Sequence, residues 1–261
     1  MPALVRAIHE GQALIELRRL AAVGPIQGNI VGRFTAGFYA RIQGQIFAAA
    51  GPLIWPGPIH LVAEHVPELA AEAGEVWLTA TRLHYPGGTV DIASAAPYTP
   101  AIPTAEQLRA AAPLFAQWVD MAGPPEDLQA CWDPVLAAVG DNDIAGAALI
   151  LQGRGIGLTP SGDDVLAGLL LFARWSGMPQ TALTSIAERV ETTDLSRAFL
   201  QWAARGQSIE PIHALVICSS PAAERSERFN RAAEIVCQVG HRSGAALMAG
   251  LGIAAQAWSA A

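Results

Sequence analysis

The chain contains no lysine. All 16 of its basic residues are arginine, which excludes a lysine Schiff base, a lysine general base and the phosphate-gripping lysine of a Walker loop together. Charge is sparse: 15% of the 261 residues are charged and the formal net charge is −7. No stretch gathers arginines into the basic footprint that a nucleic-acid surface needs, so nucleic acid is not an expected partner. Cysteine is scarce as well. Cys131, Cys218 and Cys237 are odd in number, far apart and set in apolar sequence, which reads as buried thiols of a reducing compartment, with neither a disulfide nor a zinc site. The strings Gly-x-Ser-x-Gly, His-Glu-x-x-His and Cys-x-x-Cys are missing, which sets aside the common hydrolase, zinc-protease and dithiol chemistries.

Long hydrophobic runs are also lacking. The first 20 residues carry Glu10 and Glu16 in a periodic apolar pattern, unlike a secretory signal, so a cytoplasmic location is expected. Residues 243–261 have no charge and approach the roughly 20 residues that cross a bilayer. They are mostly alanine and glycine, with Ser243, Gln256 and Ser259 interspersed. Their transfer hydrophobicity suits a helix buried inside the protein, and no membrane contact is expected.

What is present divides into two halves. Residues 24–102 are rich in glycine, proline, β-branched and aromatic residues, with alternation in GNIVGRFTAGFYARIQGQIF and EVWLTATRLHYPGGTVDIA. These read as strands joined by turns, with YPGGTV (residues 85–90) as a hairpin. YTPAIPT (residues 98–104) then breaks regular structure with two prolines and offers Thr104 as a helix N-cap. Beyond it the apolar period is helical over 126–139, 142–152, 162–176, 180–205, 208–217, 221–239 and 243–258. The expected fold class is α+β with segregated elements: a β-rich domain over residues 1–102 and a helical domain over 103–261.

The small and acidic residues concentrate in GIGLTPSGDD, residues 155–164, between two apolar stretches. An echo follows. SGDDVLAGL from Ser161 and SGAALMAGL from Ser243 share Ser-Gly, four intervening residues and Ala-Gly-Leu at an offset of 82, which predicts two loop-to-helix junctions of one design. A helix start presents unpaired N–H groups and the positive end of the helix dipole, and so suits an anion. Gly155, Gly157 and Gly162 give backbone access, Thr159 a hydroxyl and Ser161 a cap, and Gly240, Ser243 and Gly244 repeat the arrangement with His241 and Arg242 as donors. A plainer reading is a Ser-x-x-acid cap made by Ser161 and Asp164. Asp163 and Asp164 suit orienting an arginine, accepting from a substrate amide or holding Mg²⁺; no dedicated metal site or cofactor is expected. Thr192, Ser196 and Phe199 share a face if their segment is helical. Glu210 and His213 read as a solvated pair or a tuned acid–base pair. His60, His65 and His84 have no metal-ligand spacing and read as surface or packing residues, while GDND at 140–143 reads as a helix start.

In order, GIGLTPSGDDVLAGLL, TTDLSRAFLQWAARG with EPIHALV, and GHRSGAALMAGL resemble the AllH-like family, and IVGRF with PGPIHL extends the resemblance weakly into the β half. The resemblance implies a subunit of oxamate carbamoyltransferase that acts with partner subunits in anaerobic purine (allantoin) degradation. The implied reaction interconverts oxalurate plus phosphate with oxamate plus carbamoyl phosphate. It implies catalytic roles for Asp163, Asp164 and His241, and substrate binding by Gly157, Thr159, Ser161, Gly162, Thr193, Ser196, Ser243 and Gly244. The family's second motif reads Gly-His-Ser-Ser-Gly-Ala-Asp. Here Arg242 replaces the first serine and Ala246 the aspartate, making the pocket more cationic and adding Arg242 to the binding set. Two other readings of the same residues stand beside the transferase: a non-catalytic small-anion-binding or regulatory subunit, and a structural subunit whose glycines serve helix packing.

Overall fold

A computed structural model describes residues 3–70, 74–217 and 222–260. Cys218, expected as a buried thiol, lies outside the described residues. The chain divides into two compact units, residues 1–100 and 101–261. The fold is α+β, β in the first unit and helical in the second.

The first unit is a closed β-barrel. Strands β1 (Ala3–Glu10), β2 (Ile26–Phe34), β3 (Gly37–Ile42), β4 (Gln45–Ala50), β5 (His60–Ala63), β6 (Glu75–Leu78), β7 (Arg82–Tyr85) and β8 (Gly88–Asp91) hydrogen-bond in the order β5-β4-β3-β2-β6-β7-β8-β1. The pairing of β1 with β5 closes the ring, and the two-residue β9 (Ala96–Pro97) adds to β1. Alternation does the work that period two requires. Phe38, Ala40 and Ile42, Phe47 and Ala49, Val76 and Leu78, and Leu83 and Val90 all turn inward to one core. Helix α1 (Gln12–Leu20) buries Ala13, Leu14 and Leu17, and packs on β4 and β5. The YPGGTV turn is the β7–β8 hairpin, where Tyr85 pairs with Gly88 and Gly87 takes φ +127°. The apolar period of the first 20 residues is thus split between a strand and a helix.

The second unit is built of α2 (Ala105–Ala122), a 3₁₀ turn (Glu126–Cys131), α3 (Trp132–Gly140), α4 (Ile144–Leu151), α5 (Ser161–Trp175), α6 (Gln180–Arg189), α7 (Asp194–Ala204), α8 (Glu210–Ile217), α9 (Ala222–Cys237) and α10 (Ser243–Ala260). Thr104 caps α2 in a full capping box with Gln107, and Asp143 caps α4 through the amide of Gly146, as their sequence positions imply. The continuous helix expected over 180–205 is broken. Val190 is extended, Thr193 caps a new helix by accepting from Ser196 N, and Thr192 precedes that helix, so Thr192, Ser196 and Phe199 do not form one helical face. Local side-chain hydrogen bonding by threonine has overridden the apolar period.

The uncharged α10 is the spine of this unit, packed against α5, α2, α9 and α3. Among the described residues no helix is long and apolar enough to cross a membrane. Its small residues permit near contact of backbones. A Cβ on Gly250 would lie 2.0 Å from Val165 O, and one on Gly168 would lie 2.3 Å from Leu247 O. These contacts are reciprocal. Gly168 and Gly250, like Val165 and Leu247, are 82 positions apart, so the sequence echo is a pseudo-twofold crossing of α5 on α10. Gly252 also brings α10 near α2, where a Cβ would sit 2.5 Å from Val119 Cβ and 2.9 Å from Phe115 O.

A methyl group at that crossing has no space, and overpacking a filled core typically costs about 1–3 kcal/mol. Gly250→Ala is therefore expected to lower unfolding free energy by about 3 kcal/mol in chemical denaturation. Gly140→Ala, where nothing lies within 4 Å of the added carbon, should leave stability unchanged or raise it by up to about 1 kcal/mol through helix propensity.

Candidate functional site

The two glycine-serine junctions meet. Thr159 Oγ1, just before α5, and Ser243 Oγ, the first residue of α10, share a hydrogen bond of 2.9 Å. The carboxyl of Asp164 lies within reach of the same Ser243 hydroxyl. Around this link the polar side chains form a connected set. Ser161 Oγ donates to Asp127 Oδ2 at 2.8 Å. Asp163, buried, accepts from Gly153 N at 2.8 Å on Oδ1 and from the Thr192 hydroxyl on Oδ2. Leu158 O accepts from Thr193 Oγ1 at 2.6 Å and from Ser196 Oγ at 3.4 Å. The start of α7 therefore fastens the loop that leads into α5.

That loop is made possible by glycine. Gly153, Gly155 and Gly157 have φ of +64°, +116° and +95°, a region costly for residues with a Cβ. At Gly155 a Cβ would also meet Ser161 N at 2.7 Å and Asp127 Oδ2 at 2.9 Å. Between them Ile156 and Leu158 are 77% and 54% exposed. The loop turns its backbone toward the polar cluster and two apolar side chains toward solvent.

Several residues take roles different from those their sequence positions suggest. Ser161 does not cap α5: Pro160 occupies the cap position, no side chain caps the helix, and the serine hydroxyl goes to Asp127. A Ser161–Asp164 capping box is therefore absent. Gly162 does not open a path for a ligand, because its Cα faces Leu151 O and its amide donates to Arg154 O at 2.8 Å. Gly244 likewise packs on Val236 O and donates to Val239 O at 3.0 Å. Asp163 N and Asp164 N both donate to Pro160 O. Much of the amide cradle anticipated at the helix starts is thus occupied by the protein's own carbonyls, and the groups left open are side chains. Asp163, with both oxygens engaged, acts as a clamp on the loop. His241 is exposed in the turn before α10, and Arg242 lies 4.0 Å from Glu126 with its side chain 40% exposed.

Asp164 is the exception to this mutual satisfaction. Its Oδ2 is buried without a hydrogen-bond partner. Burial holds its pKa well above the ordinary 3.8, the Ser243 hydroxyl opposes the rise, and the charges of Asp163 and Asp127 add to it. The shift is toward the carboxylic acid form, which can both donate and accept. Among the described residues no group of three His, Cys, Asp or Glu side chains is placed to hold a metal ion.

Glu210 and His213 do not form an acid–base pair, solvated or tuned. His213 is buried, accepts from Ser208 N at 3.0 Å on Nε2, meets Ala101 O at 3.2 Å through Nδ1, and stands edge-on to Trp175. His60 is buried against Trp55 O, and His84 bonds Thr89. Asp127 was invisible to motif reading. It stands in PPEDLQ, whose two acids look like the ordinary start of a helix.

The loop-to-helix junction, the threonine-capped start of α7 and the second junction thus form one connected polar cluster. Residues 151–255 match the family model described as oxamate carbamoyltransferase subunit AllH. The AllH match takes in both junctions and the α7 cap, and leaves out Asp127 and the barrel. No solved structure matches the chain at a significant level.

Burial lowers the pKa of His213 from 6.5 to about 4. A histidine kept neutral in the folded state stabilises it above the unfolded value, and this contribution is lost as pH falls from about 6.5 through about 4. The loss amounts to roughly 3 kcal/mol at 1.36 kcal/mol per unit. Stepwise urea titrations should show His213→Gln removing this acid slope, while wild type retains it.

Proposed function

We propose that this chain is a carbamoyltransferase-like subunit that handles carbamoyl phosphate or phosphate together with a small carboxylate such as oxamate or oxalurate. The site lies where α5 and α10 begin, and the chain acts with partner subunits. The observation that carries this reading is the unpartnered buried Oδ2 of Asp164, set beside the Thr159–Ser243 link inside the stretch that matches the AllH family. An unsatisfied buried carboxyl oxygen calls for a partner from outside.

The proposed chemistry transfers a carbamoyl group between nitrogen and oxygen. In the phosphorolytic direction a phosphate oxygen attacks the ureido carbonyl of oxalurate and the carbon–nitrogen bond to the oxamate portion breaks. The phosphate proton passes to that nitrogen, leaving carbamoyl phosphate and oxamate. Such a transfer is accelerated chiefly by aligning the two reactants and by donors aimed at the carbonyl oxygen as it gains charge. Asp164 in its acid form and the hydroxyls of Thr159 and Ser243 are donors of that kind. Arg242 supplies positive charge and His241 a ring N–H donor for anionic reactants, with arginine suited to planar carboxylate or phosphate edges. Asp163 and the Thr193–Ser196 start of α7 hold the loop in position. A second reading, a binding subunit without catalysis, draws on the engagement of both Asp163 oxygens, which leaves that carboxylate no part in proton transfer.

A ligand that binds the folded state alone raises its stability. Thermal unfolding of the full chain with oxamate, oxalurate, phosphate or carbamoyl phosphate should show an increase in Tm, reduced in Asp164→Ala. No shift with any of the four sinks the proposal. Shifts without turnover in a reconstituted assembly would transfer the role to the binding reading.

A further inference from the structure

The repeat that relates α5 to α10 is symmetric in its backbone and antisymmetric in its charge. Superposing the two halves by their 82-residue offset pairs Asp163 and Asp164 with Ala245 and Ala246, and pairs Thr159 and Pro160 with His241 and Arg242. The packing residues are shared: Gly162 with Gly244, and Gly168 with Gly250, each pressed against a neighbouring carbonyl. The groups at the junctions differ in charge. The α5 junction carries two acids and the α10 junction carries Arg242 beside His241, joined by the Thr159–Ser243 hydrogen bond.

The acid side has a further member outside the family-matched stretch. Asp127, from the 3₁₀ turn, accepts from Ser161 and lies so near Gly155 that no side chain fits there. Asp127 and Asp163 surround Asp164 closely enough for their charges to bear on it. Asp127 and Asp163 have their hydrogen-bonding partners, and the buried unpartnered oxygen belongs to Asp164. A negatively charged group brought against this side meets acids without compensation. An amide or ureido group meets a complementary surface: its N–H donates to a carboxyl oxygen and its carbonyl accepts from a carboxyl O–H, two hydrogen bonds with no net charge buried. On the other side the Arg242 guanidinium, held loosely at 4.0 Å from Glu126, matches a carboxylate through paired N–H donors.

Resting on the proposed function, we infer that the paired junctions orient a small molecule bearing an amide or ureido group at one end and a carboxylate at the other. The amide end lies against Asp164 and the carboxylate end against Arg242 and His241. The polarity of the repeat, not its shape, fixes which way round the ligand sits.

Three small compounds of one size separate the ends: oxamate has one amide and one carboxylate, oxamide two amides, oxalate two carboxylates. Calorimetric titration of the full chain should rank oxamate above both others. Arg242→Gln is expected to weaken oxamate and oxalate at least about tenfold and to leave oxamide within about twofold, the signature of a lost charge-assisted pair. Asp164→Ala should weaken oxamate and oxamide and spare oxalate. Asp164→Asn, which keeps shape and hydrogen-bonding atoms, should recover part of the loss and shows that the fold is intact. Equal weakening of all three compounds by each variant, or the reverse selectivity, overturns the orientation while leaving the site in place. Failure of the wild-type chain to bind any of the three removes both the orientation and the site reading on which it rests.

Discussion

The near contact of two backbones at Gly168 and Gly250 is the constraint on which the helical unit depends. With no Cβ on either residue, α5 and α10 approach until each glycine faces a carbonyl of the other helix. Close packing of this kind gains dispersion over the whole crossing and tolerates no added atom. Because the crossing is pseudo-twofold, fixing it also fixes where both helices begin. Ser243 is thereby brought to Thr159 and Asp164 across 84 and 79 positions of sequence, and a polar cluster exists at all only because apolar packing several residues away leaves no alternative geometry.

Within that cluster, helix starts serve a different purpose from the one elementary dipole reasoning assigns them. Carbonyls of Arg154, Pro160 and Val239 take up amides of both junctions, so the groups left open there are side chains rather than backbone. Three aspartates then share a small region. Each finds a different accommodation: Asp127 stays exposed and accepts from Ser161, Asp163 is buried and accepts from Gly153 and Thr192, and Asp164 is held toward its neutral form by burial and by the other two charges. This acid stands beside the linked hydroxyls of Thr159 and Ser243.

Much of the architecture was legible before any coordinates. Alternation in GFYARIQGQIF and the Pro-Gly turn at 86–87 demanded paired strands, and the capping residues Thr104 and Asp143 marked helix starts that the structure reproduces. The repeat of Ser-Gly and Ala-Gly-Leu identified the two helices that cross. The break at 190–193 was hidden because the apolar period runs through it, while the threonines that end one helix and cap the next compete through hydrogen bonds that periodicity does not register. His213 escapes pattern reading for a related reason: a polar residue three positions from a glutamate resembles a solvated one, and only the fold places Trp175, Ser208 and Ala101 around it. Asp127 carried no signal at all, since nothing in PPEDLQ distinguishes an acid at a helix start from one that reaches a serine 34 positions away.

The sequence by itself determined the division into a β portion and a helical portion, the absence of lysine chemistry, and the presence of two matched junctions, because these follow from residue periodicity, composition and local conformational preference. Tertiary structure alone decided which hydroxyl meets which carboxylate, that Ser161 serves Asp127 instead of its own helix, and that Asp164 is the acid left unsatisfied. Hydrogen bonds between distant side chains depend on where packed helices place their ends, and that placement is set by the depth to which two glycines let the backbones approach.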